Sequence, residues 1–492
     1  QFKKVDLSDL TDYKLAKLFV EQFGEEFIYD GDYIYYYNGR LWEKDSSKKH
    51  IIHYLNEKLY RFCRDAYYDN DSEKDDKKLA TLKIILGIQQ ARKKEDILKE
   101  ICPLISRDVE FDAEWYIVQF NNKVLDLRTM TFEECSPKYF TSKSVGYDVV
   151  DRDVENEKWF MENIIDRIFP NEEDRKTYLQ YLSTSLEGRT LERMMIARGQ
   201  GRNGKGVINE LMISTMGEYG HQCNANLFMG KTKDGPNPAL ANLGGKRFVV
   251  FSEPNQESYL NASMIKLVTG TERVSARMLY SNNTTTQLQL TLVEETNARV
   301  RIDHVDAALG KRLIEVSFPS TFSNDPELAG KHNVYPCDVH FKSKEFKRKH
   351  RMTLMWLLID HYKQYQDQGH EIFVGEATKQ QTKDYLDDNN DLYGWFSEVY
   401  EKTGNDNDTI KMQSVYQYFK MSVYWDNLTK KEKRTMTFKR FQQDLRENMR
   451  LKHWCSIKGE RPYVNGVRQK ASFVFGWRKK ETMFDEYDED SD

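Results

Sequence analysis

The segment Gly199-Gln-Gly-Arg-Asn-Gly-Lys-Gly206 is the feature that most constrains this chain of 492 residues. An apolar run at 194–197 precedes it, and a run with helical spacing at 207–216 follows it. A strand, a turn of the form G-x-x-x-x-G-K and a helix form the context in which backbone N–H groups cradle a triphosphate and the lysine reaches its β- and γ-oxygens. This context disfavours a chance match. It predicts an α/β fold with a mostly parallel sheet. The predicted nucleotide contacts are Gly199, Gly201, Arg202, Asn203, Gly204, Lys205, Gly206 and Val207.

The loop lacks its usual last residue. A serine or threonine normally follows the lysine and gives its hydroxyl to Mg²⁺, whereas this chain has Gly206. An acid at the end of a neighbouring strand is the second requirement of such a site, and Glu253 follows the apolar run 248–251. Alone, Glu253 would be an ordinary strand end. With the loop upstream, we expect Mg²⁺ to be held by Glu253, the phosphates and a water, and we expect Gly206→Ser to be tolerated.

Composition excludes some classes of protein. The net charge is −4, so nucleic-acid binding would have to come from local basic surfaces. Six cysteines without a C-x-x-C pair indicate free thiols in a reducing compartment, and no run approaches the roughly 18 apolar residues of a membrane span. We therefore expect a soluble intracellular protein, and the first residue, Gln1, suggests a piece of a longer polypeptide. The spacing of His332, Cys337, His340 and His350 matches no common zinc site.

Patterns along the chain predict five regions. They are a mixed α+β domain at 1–150, a helical collar at 151–190, the core around the loop at 191–325, a helical extension at 326–375 and a winged-helix-like domain with an acidic tail at 376–492. In the first region, Asn38-Gly39 between two aromatic-rich runs predicts a hairpin. Helices are predicted near 47–68, 76–101 and 156–190, and further core strands at 248–251, 287–293 and 313–318.

The order of motifs resembles superfamily 3 helicases and, more narrowly, the helicase half of the primase–helicases of poxviruses, asfarviruses and other nucleocytoplasmic large DNA viruses. The loop and the segments 240–253, 265–270 and 275–280 carry this resemblance. It implies an AAA+-like P-loop motor that uses ATP and Mg²⁺ and assembles as a homohexameric ring. This ring would bind single-stranded or forked DNA and unwind the duplex with 3′→5′ polarity. It also implies an upstream primase domain in the same polypeptide and a location in the host cytoplasm, at viral replication sites.

The resemblance assigns the chemistry to four residues: Lys205, Glu253, Asn297 and Arg312. Asn297 would be the polar sensor after a strand, although Val300 stands where the family often has proline. Arg312 would be the arginine finger acting on a neighbouring subunit. This chain has Lys-Arg where the family has Arg-Arg, and guanidinium chemistry favours Arg312 over Lys311. Without the family, a surface ion pair would be the preferred interpretation of Arg312.

Contacts to DNA are less specific in the sequence. In superfamily 3 rings a hairpin extends into the central channel. By this resemblance its tip would be 281–286, which lacks the basic residue common in the family. The candidate contacts are Lys231, Lys233, Lys266, Arg277, Asn282 and Asn283. Each lysine or arginine could equally be a solvated surface charge. Three alternatives stay open: a translocating or packaging ATPase without strand separation, a nucleotide-binding scaffold with an impaired loop, and an RNA substrate.

Overall fold

The computed structural model describes the chain with gaps. The described residues are 7, 10–68, 75–230, 237–252, 259–270, 273–276, 284–303, 305–389, 391–428, 430–448, 451–464 and 466–480. Within these residues, no helix has both the length and the apolar character that crossing a bilayer would require.

The described residues up to Arg152, together with 186–188 and 213–220, form one compact unit. Its helices are Asp12–Phe23 (α1), Lys49–His53 (α2), Tyr60–Tyr68 (α3), Asp75–Gly87 (α4) and Ala91–Leu104 (α5), with a π-helical stretch, Tyr54–Leu59, between α2 and α3. Its strands are Phe27–Tyr29 (β1), Ile34–Tyr37 (β2), Trp42–Lys44 (β3), Ile117–Gln119 (β4), Val124–Asp126 (β5) and Thr131–Glu133 (β6). The strands form two antiparallel meanders, β1-β2-β3 and β4-β5-β6. The predicted hairpin is confirmed, because Tyr37 pairs with Trp42 around a turn in which the Asn38 Oδ1 accepts two backbone N–H groups.

The second unit contains the described residues of 153–185, of 189–212 and from His221 on. Its first helices are Val154–Phe160 (α6), Asp166–Ile168 (α7) and Glu172–Ser183 (α8), with π-helical Met161–Ile165 between α6 and α7. Asp153 and Asn171 cap α6 and α8 by accepting a backbone N–H, and acids fill the first turn of α8, where they complement the helix dipole. These helices agree with the prediction over 156–190.

Further elements of this unit follow, two of which include residues of the stretch 213–220 that belongs to the first unit. The helices are Lys205–Met216 (α9), Pro238–Ala241 (α10), Ala262–Gly270 (α11), Ala307–Arg312 (α12), Lys344–Asp367 (α13) and Glu376–Asp388 (α14). The strands are Met194–Arg198 (β7), Gly220–Cys223 (β8), Phe248–Ser252 (β9), Arg273–Ala276 (β10), Thr284–Gln287 (β11), Thr291–Thr296 (β12), Leu313–Ser317 (β13), Thr321–Phe322 (β14) and Val334–Tyr335 (β15).

A sheet with the order β13-β7-β12-β9-β8 forms the centre of the second unit within the described residues. The pairs β13/β7, β7/β12 and β12/β9 are parallel, which confirms the predicted parallel sheet. The strand β7 is buried over Met194–Ala197 because its apolar run has neighbours on both edges and layers on both faces. Since parallel strands end at the same edge of a sheet, the residues that follow β7 and β12 meet there, and β9 ends at the same edge.

The last part of the chain combines helices with short antiparallel ladders. The helices are Asp391–Val399 (α15), Met412–Lys420 (α16), Val423–Asn427 (α17), Lys430–Thr435 (α18) and Phe438–Glu447 (α19). The strands are Tyr400–Lys402 (β16), Thr409–Lys411 (β17), Tyr463–Val464 (β18), Val467–Arg468 (β19), Phe473–Phe475 (β20) and Trp477–Lys479 (β21). The pairs β16/β21, β17/β20 and β18/β19 are antiparallel, and an aromatic cluster that includes Trp395, Phe419 and Phe441 forms the local core.

Two predicted bounds were wrong. The predicted helix 76–101 is two helices, α4 and α5, because the chain turns between Gly87 and Gln90. The predicted strand 287–293 spans parts of two strands: β11 ends at Gln287, and β12 begins at Thr291 because its pairing with β7 and β9 begins there.

Candidate functional site

The glycine loop between β7 and α9 is packed at two of its glycines and open at a third. A Cβ at Gly199 would lie 2.7 Å from the Phe318 carbonyl oxygen, and one at Gly204, whose φ is +90°, would lie 2.7 Å from the Ile168 Cγ1. At Gly201, a Cβ would meet nothing within 4 Å. Packing therefore fixes the loop at Gly199 and Gly204 and leaves open space beside Gly201.

Two polar residues of the loop are set up for a ligand. Arg202 has a φ of +62°, a left-handed conformation that is uncommon outside glycine and that clusters at ligand-binding positions. The Asn203 side chain is buried, its Oδ1 accepts the Lys205 backbone N–H at 3.3 Å, and its Nδ2 has no hydrogen-bond partner among the described residues. A buried amide donor without an acceptor is costly, and an anionic oxygen at the loop would satisfy it.

Lys205 is the first residue of α9 and is 3% exposed. Its Nζ donates to the Gly199 carbonyl oxygen and, at 3.2 Å, to the Asn297 Oδ1. Burial lowers the pKa of Lys205, and the carboxylate of Glu295 opposes that shift. The ammonium thus lies at the edge of the sheet, where the backbone N–H groups and the helix dipole at the N-terminus of α9 also favour an anion.

The strand order explains why Asn297 meets the loop. β12 lies directly beside β7, so the residue after Thr296 reaches the turn that follows β7, and the Gly199 N–H donates to the Thr296 carbonyl oxygen at 3.2 Å. The structure thus brings together Lys205 and Asn297. The other edge of β12 pairs with β9, which ends at Ser252. The predicted metal ligand and catalytic acid, Glu253, lies outside the described residues.

Glu295, on β12, is a site residue that sequence reasoning missed. Its Oε2 accepts from the Asn209 Nδ2 at 3.3 Å and from the Ser252 Oγ at 3.2 Å, and its Oε1 lies 3.7 Å from where a Cβ of Gly206 would be. A signal was available, because two acids at the end of an apolar run, 294–295, are unusual in a strand. The strand was predicted to end before them.

A cleft of 690 Å³ opens over the loop. It is lined by Asn163, Ile164, Ile168, Gly201, Arg202, Asn203, Gly204, Lys205, Gly206, Val207, Glu295, Asn297, Phe322, Ser323, Asn324, Cys337, Asp338, Val339, Phe341 and Lys342. The wall from Phe322 to Lys342 was not predicted, since nothing in its sequence marks it as part of a site. The cleft combines apolar side chains, among them Ile164, Ile168 and Phe341, with the polar groups of the loop, and its size is that of sites for small ligands.

Arg312 and Lys266 do not line this cleft. Arg312 ends α12, and its guanidinium contacts the Ala308 carbonyl oxygen at 3.1 Å and Glu192 at 3.4 Å. Lys266, on α11, forms an ion pair with Asp306 at 2.8 Å. Neither side chain therefore takes part in the cleft, and each forms an ion pair elsewhere in the chain. Lys231, Lys233, Arg277, Asn282 and Asn283 lie outside the described residues, as does the tip of the hairpin whose strands are β10 and β11.

The chain is similar in sequence to one described domain family and to several viral proteins. The family described as D5 N terminal like matches residues 16–178. "Putative helicase L207/L206" of Acanthamoeba polyphaga mimivirus is 24% identical over 442 residues, which cover 83% of this chain and 45% of that protein. Primase D5 of fowlpox virus (strain NVSL) is 25% identical over 343 residues, 66% of this chain and 40% of that protein. Uncoating factor OPG117 of monkeypox virus is 27% identical over 315 residues, 58% of this chain and 40% of that protein.

This chain thus spans less than half the length of these relatives. A solved apo structure of the NrS-1 C terminal region aligns with a TM-score of 0.45 at 10% identity, over 88% of this chain and 87% of that chain. A likeness of this degree supports no conclusion about fold or function.

Proposed function

We propose that this chain, which belongs to the primase–helicase family of nucleocytoplasmic large DNA viruses, is an ATP-dependent DNA helicase that acts in viral DNA replication. The observation that carries the proposal is the contact between the Lys205 Nζ and the Asn297 Oδ1, 3.2 Å apart at the open side of the glycine loop. A buried cation and a polar sensor side by side are what an ATP-hydrolysing site requires where the β- and γ-phosphates lie.

The roles proposed for Lys205 and Asn203 follow from this geometry, and those of Asn297 and Glu253 follow from the family resemblance. Lys205 would exchange its bond to the Gly199 carbonyl oxygen for bonds to phosphate oxygens, and the Asn203 Nδ2 would gain the acceptor that it lacks. Asn297 would then orient the attacking water, and Glu253 would polarise it. In this scheme, positioning and charge stabilisation do the catalytic work, as is general for phosphoryl transfer.

Mg²⁺ fits this site as a cation bound mainly by the nucleotide. The described residues contain no group of three or more His, Cys, Asp or Glu side chains that could hold a metal ion. Magnesium at nucleotide sites is typically held by one or two carboxylates plus phosphates and water, so few protein ligands are needed. Glu253 would be one of them, and the ion would neutralise charge on the phosphate oxygens.

The finer architecture belongs to the same proposal. We take the sheet and its loop as an AAA+-like motor and the C-terminal helices and ladders as a winged-helix-like domain. Arg312 would act as the finger of the neighbouring subunit in a hexameric ring. The hairpin of β10 and β11 would meet DNA, with Lys231, Lys233, Lys266, Arg277, Asn282 and Asn283 as candidate contacts. An upstream primase domain, 3′→5′ polarity and a location in the host cytoplasm complete the proposal.

A forked-duplex assay tests it. With ATP and Mg²⁺, the full chain should separate the strands of a fork that has a 3′ single-stranded tail. Lys205→Ala should abolish both ATP hydrolysis and strand separation. A matched fork made of RNA tests the choice of nucleic acid. Hydrolysis stimulated by single-stranded DNA with no strand separation would instead favour a translocating or packaging ATPase.

The scaffold alternative makes a different prediction. If wild-type hydrolysis is undetectable while loading on DNA and assembly persist in Lys205→Ala, the motor function is wrong. We favour the motor because Lys205 and Asn297 keep the arrangement that hydrolysis needs, despite the glycine at position 206.

A further inference from the structure

The carboxylate of Glu295 lies beside the position that the missing hydroxyl of the loop would occupy. Its Oε1 is 3.7 Å from where a Cβ of Gly206 would be, and a serine hydroxyl at 206 would lie one bond beyond that Cβ. A side chain at 206 would therefore be in ordinary van der Waals contact with the carboxylate, and the carboxylate supplies an oxygen beside the place where the loop has none.

The Glu295 side chain is held in place by its other oxygen. The Oε2 accepts hydrogen bonds from Asn209, one turn further along α9, and from Ser252, the last residue of β9. Both donors come from elements that flank β12. This leaves the orientation of Oε1 fixed toward the glycine loop.

A carboxylate in this place has an electrostatic consequence. Without a cation, it would repel a triphosphate on the loop, because two anions would share a partly buried site where charges interact more strongly than in water. Lys205 does not remove this conflict alone, since its single charge also has to balance the phosphates. A divalent cation between the carboxylate and the phosphates would turn repulsion into attraction, and carboxylate oxygen is a ligand that Mg²⁺ accepts.

We propose that Glu295 is a magnesium-binding residue of this nucleotide site and replaces the loop hydroxyl that Gly206 lacks. This inference rests on the proposed nucleotide site, and it differs from the expectation that water alone fills the gap. It makes nucleotide binding more dependent on Mg²⁺ than a loop with a neutral hydroxyl would be.

The test measures nucleotide affinity of the full chain, without hydrolysis. ADP and the non-hydrolysable analogue AMP-PNP are titrated calorimetrically in Mg²⁺ and in EDTA, for wild type and for Glu295→Gln. The variant should bind more tightly than wild type in EDTA, because the repulsion is gone, and more weakly in Mg²⁺. The enhancement by Mg²⁺ should fall by about tenfold, within the range typical of coupling between two ligands.

Two further variants separate the metal role from a structural one. Ser252→Ala removes one of the two donors to the same carboxylate but keeps its charge and its bond to Asn209, so Mg²⁺ should still enhance nucleotide affinity, and by far more than in Glu295→Gln. Gly206→Ser combined with Glu295→Gln restores a hydroxyl and should regain part of the enhancement. Should Glu295→Gln fail to fold, Glu295→Asp keeps the charge but withdraws it from the loop, and a partial loss of enhancement is expected.

The outcomes are distinct. If Glu295→Gln changes affinity by the same factor in Mg²⁺ and in EDTA, its role is structural and the inference is overturned, as it also is if wild-type binding does not respond to Mg²⁺. If the enhancement is lost in the variant as expected but wild type neither hydrolyses ATP nor unwinds DNA, the inference stands and the helicase proposal fails.

Discussion

Replacing Glu294 by glutamine should stabilise the sheet, and by an amount that depends on pH. Glu294 is 0% exposed, and neither of its carboxylate oxygens has a hydrogen-bond partner among the described residues. It shares a row of the sheet with Glu315, because Glu294 on β12 and Glu315 on β13 both pair with Ile196 on β7. Burial first, and the charge of Glu315 second, raise the pKa of Glu294 to about 8.

The sign follows from proton binding. In the unfolded chain this carboxyl ionises near its ordinary pKa of 4.5, whereas in the folded chain it stays protonated up to about 8. Between these values the folded state binds more protons, so the free energy of unfolding falls as pH rises. At about 1.4 kcal/mol per pH unit, wild type should lose about 2.5 kcal/mol between pH 5 and pH 7 through this group. Glu294→Gln does not titrate and escapes this loss.

Hydrogen–deuterium exchange of peptides covering β12 is the appropriate measurement, because a chain of this size need not unfold in one step. Corrected for the intrinsic pH dependence of exchange, protection of Glu294→Gln relative to wild type should rise about 70-fold from pH 5 to pH 7. Glu327→Gln, at an exposed position, is the control and should show no such rise. An equal effect of Glu294→Gln at both pH values would refute the burial argument.

Three further predictions concern residues around the site. Arg312→Ala should lose hydrolysis by about 10³-fold or more while nucleotide still binds; mixing it with Lys205→Ala should restore part of the activity if the finger acts across subunits, and near-normal turnover of Arg312→Ala would sink the assignment. Gly204→Ala should destabilise the loop by about 1–3 kcal/mol because of its positive φ and should weaken nucleotide binding, whereas Gly201→Ala, which meets nothing, should melt like wild type. Lys266→Ala should lose about 0–1 kcal/mol, since its ion pair is partly solvated. Because Lys266 is a proposed phosphate contact, the salt-dependence slope of its affinity for single-stranded DNA should fall by about 1, and an unchanged slope would exclude it from the interface.

Short sequence patterns correctly predicted the strands and the helix on either side of the glycine loop, and the hairpin of the first region. β7, β9 and α9 follow from an apolar run or a helical period next to a turn signal, and the Asn38-Gly39 hairpin follows from turn chemistry alone. Those elements fix the place of Lys205. The meeting of Lys205 with Asn297 was expected from a family resemblance, and the order of strands supplies its physical reason.

Tertiary pairing determined what the sequence could not predict. Leu288 and Leu290 favoured a strand over 287–293, yet the strand begins at Thr291 and continues through two glutamates. Glutamate is disfavoured in strands on average, and pairing with both β7 and β9 overrides that preference. The sequence also did not predict the wall of the cleft from Phe322 to Lys342, because only the tertiary fold brings that segment over the loop.

The two adjacent glutamates show why register matters for the chemistry of this site. Successive residues of a strand point to opposite faces, so a shift of one residue would exchange the roles of Glu294 and Glu295. In the observed register, Glu295 points to Asn209 and the glycine loop, while Glu294 is buried on the opposite face, where its charge is suppressed. Glu295, half-buried beside Lys205, keeps access to cations. The same residue type, one position apart, is therefore expected to be a neutral core group in one case and a metal ligand in the other. Glu294→Gln should change how stability depends on pH, whereas Glu295→Gln should change how nucleotide affinity depends on Mg²⁺. Measuring both variants would test the two assignments together.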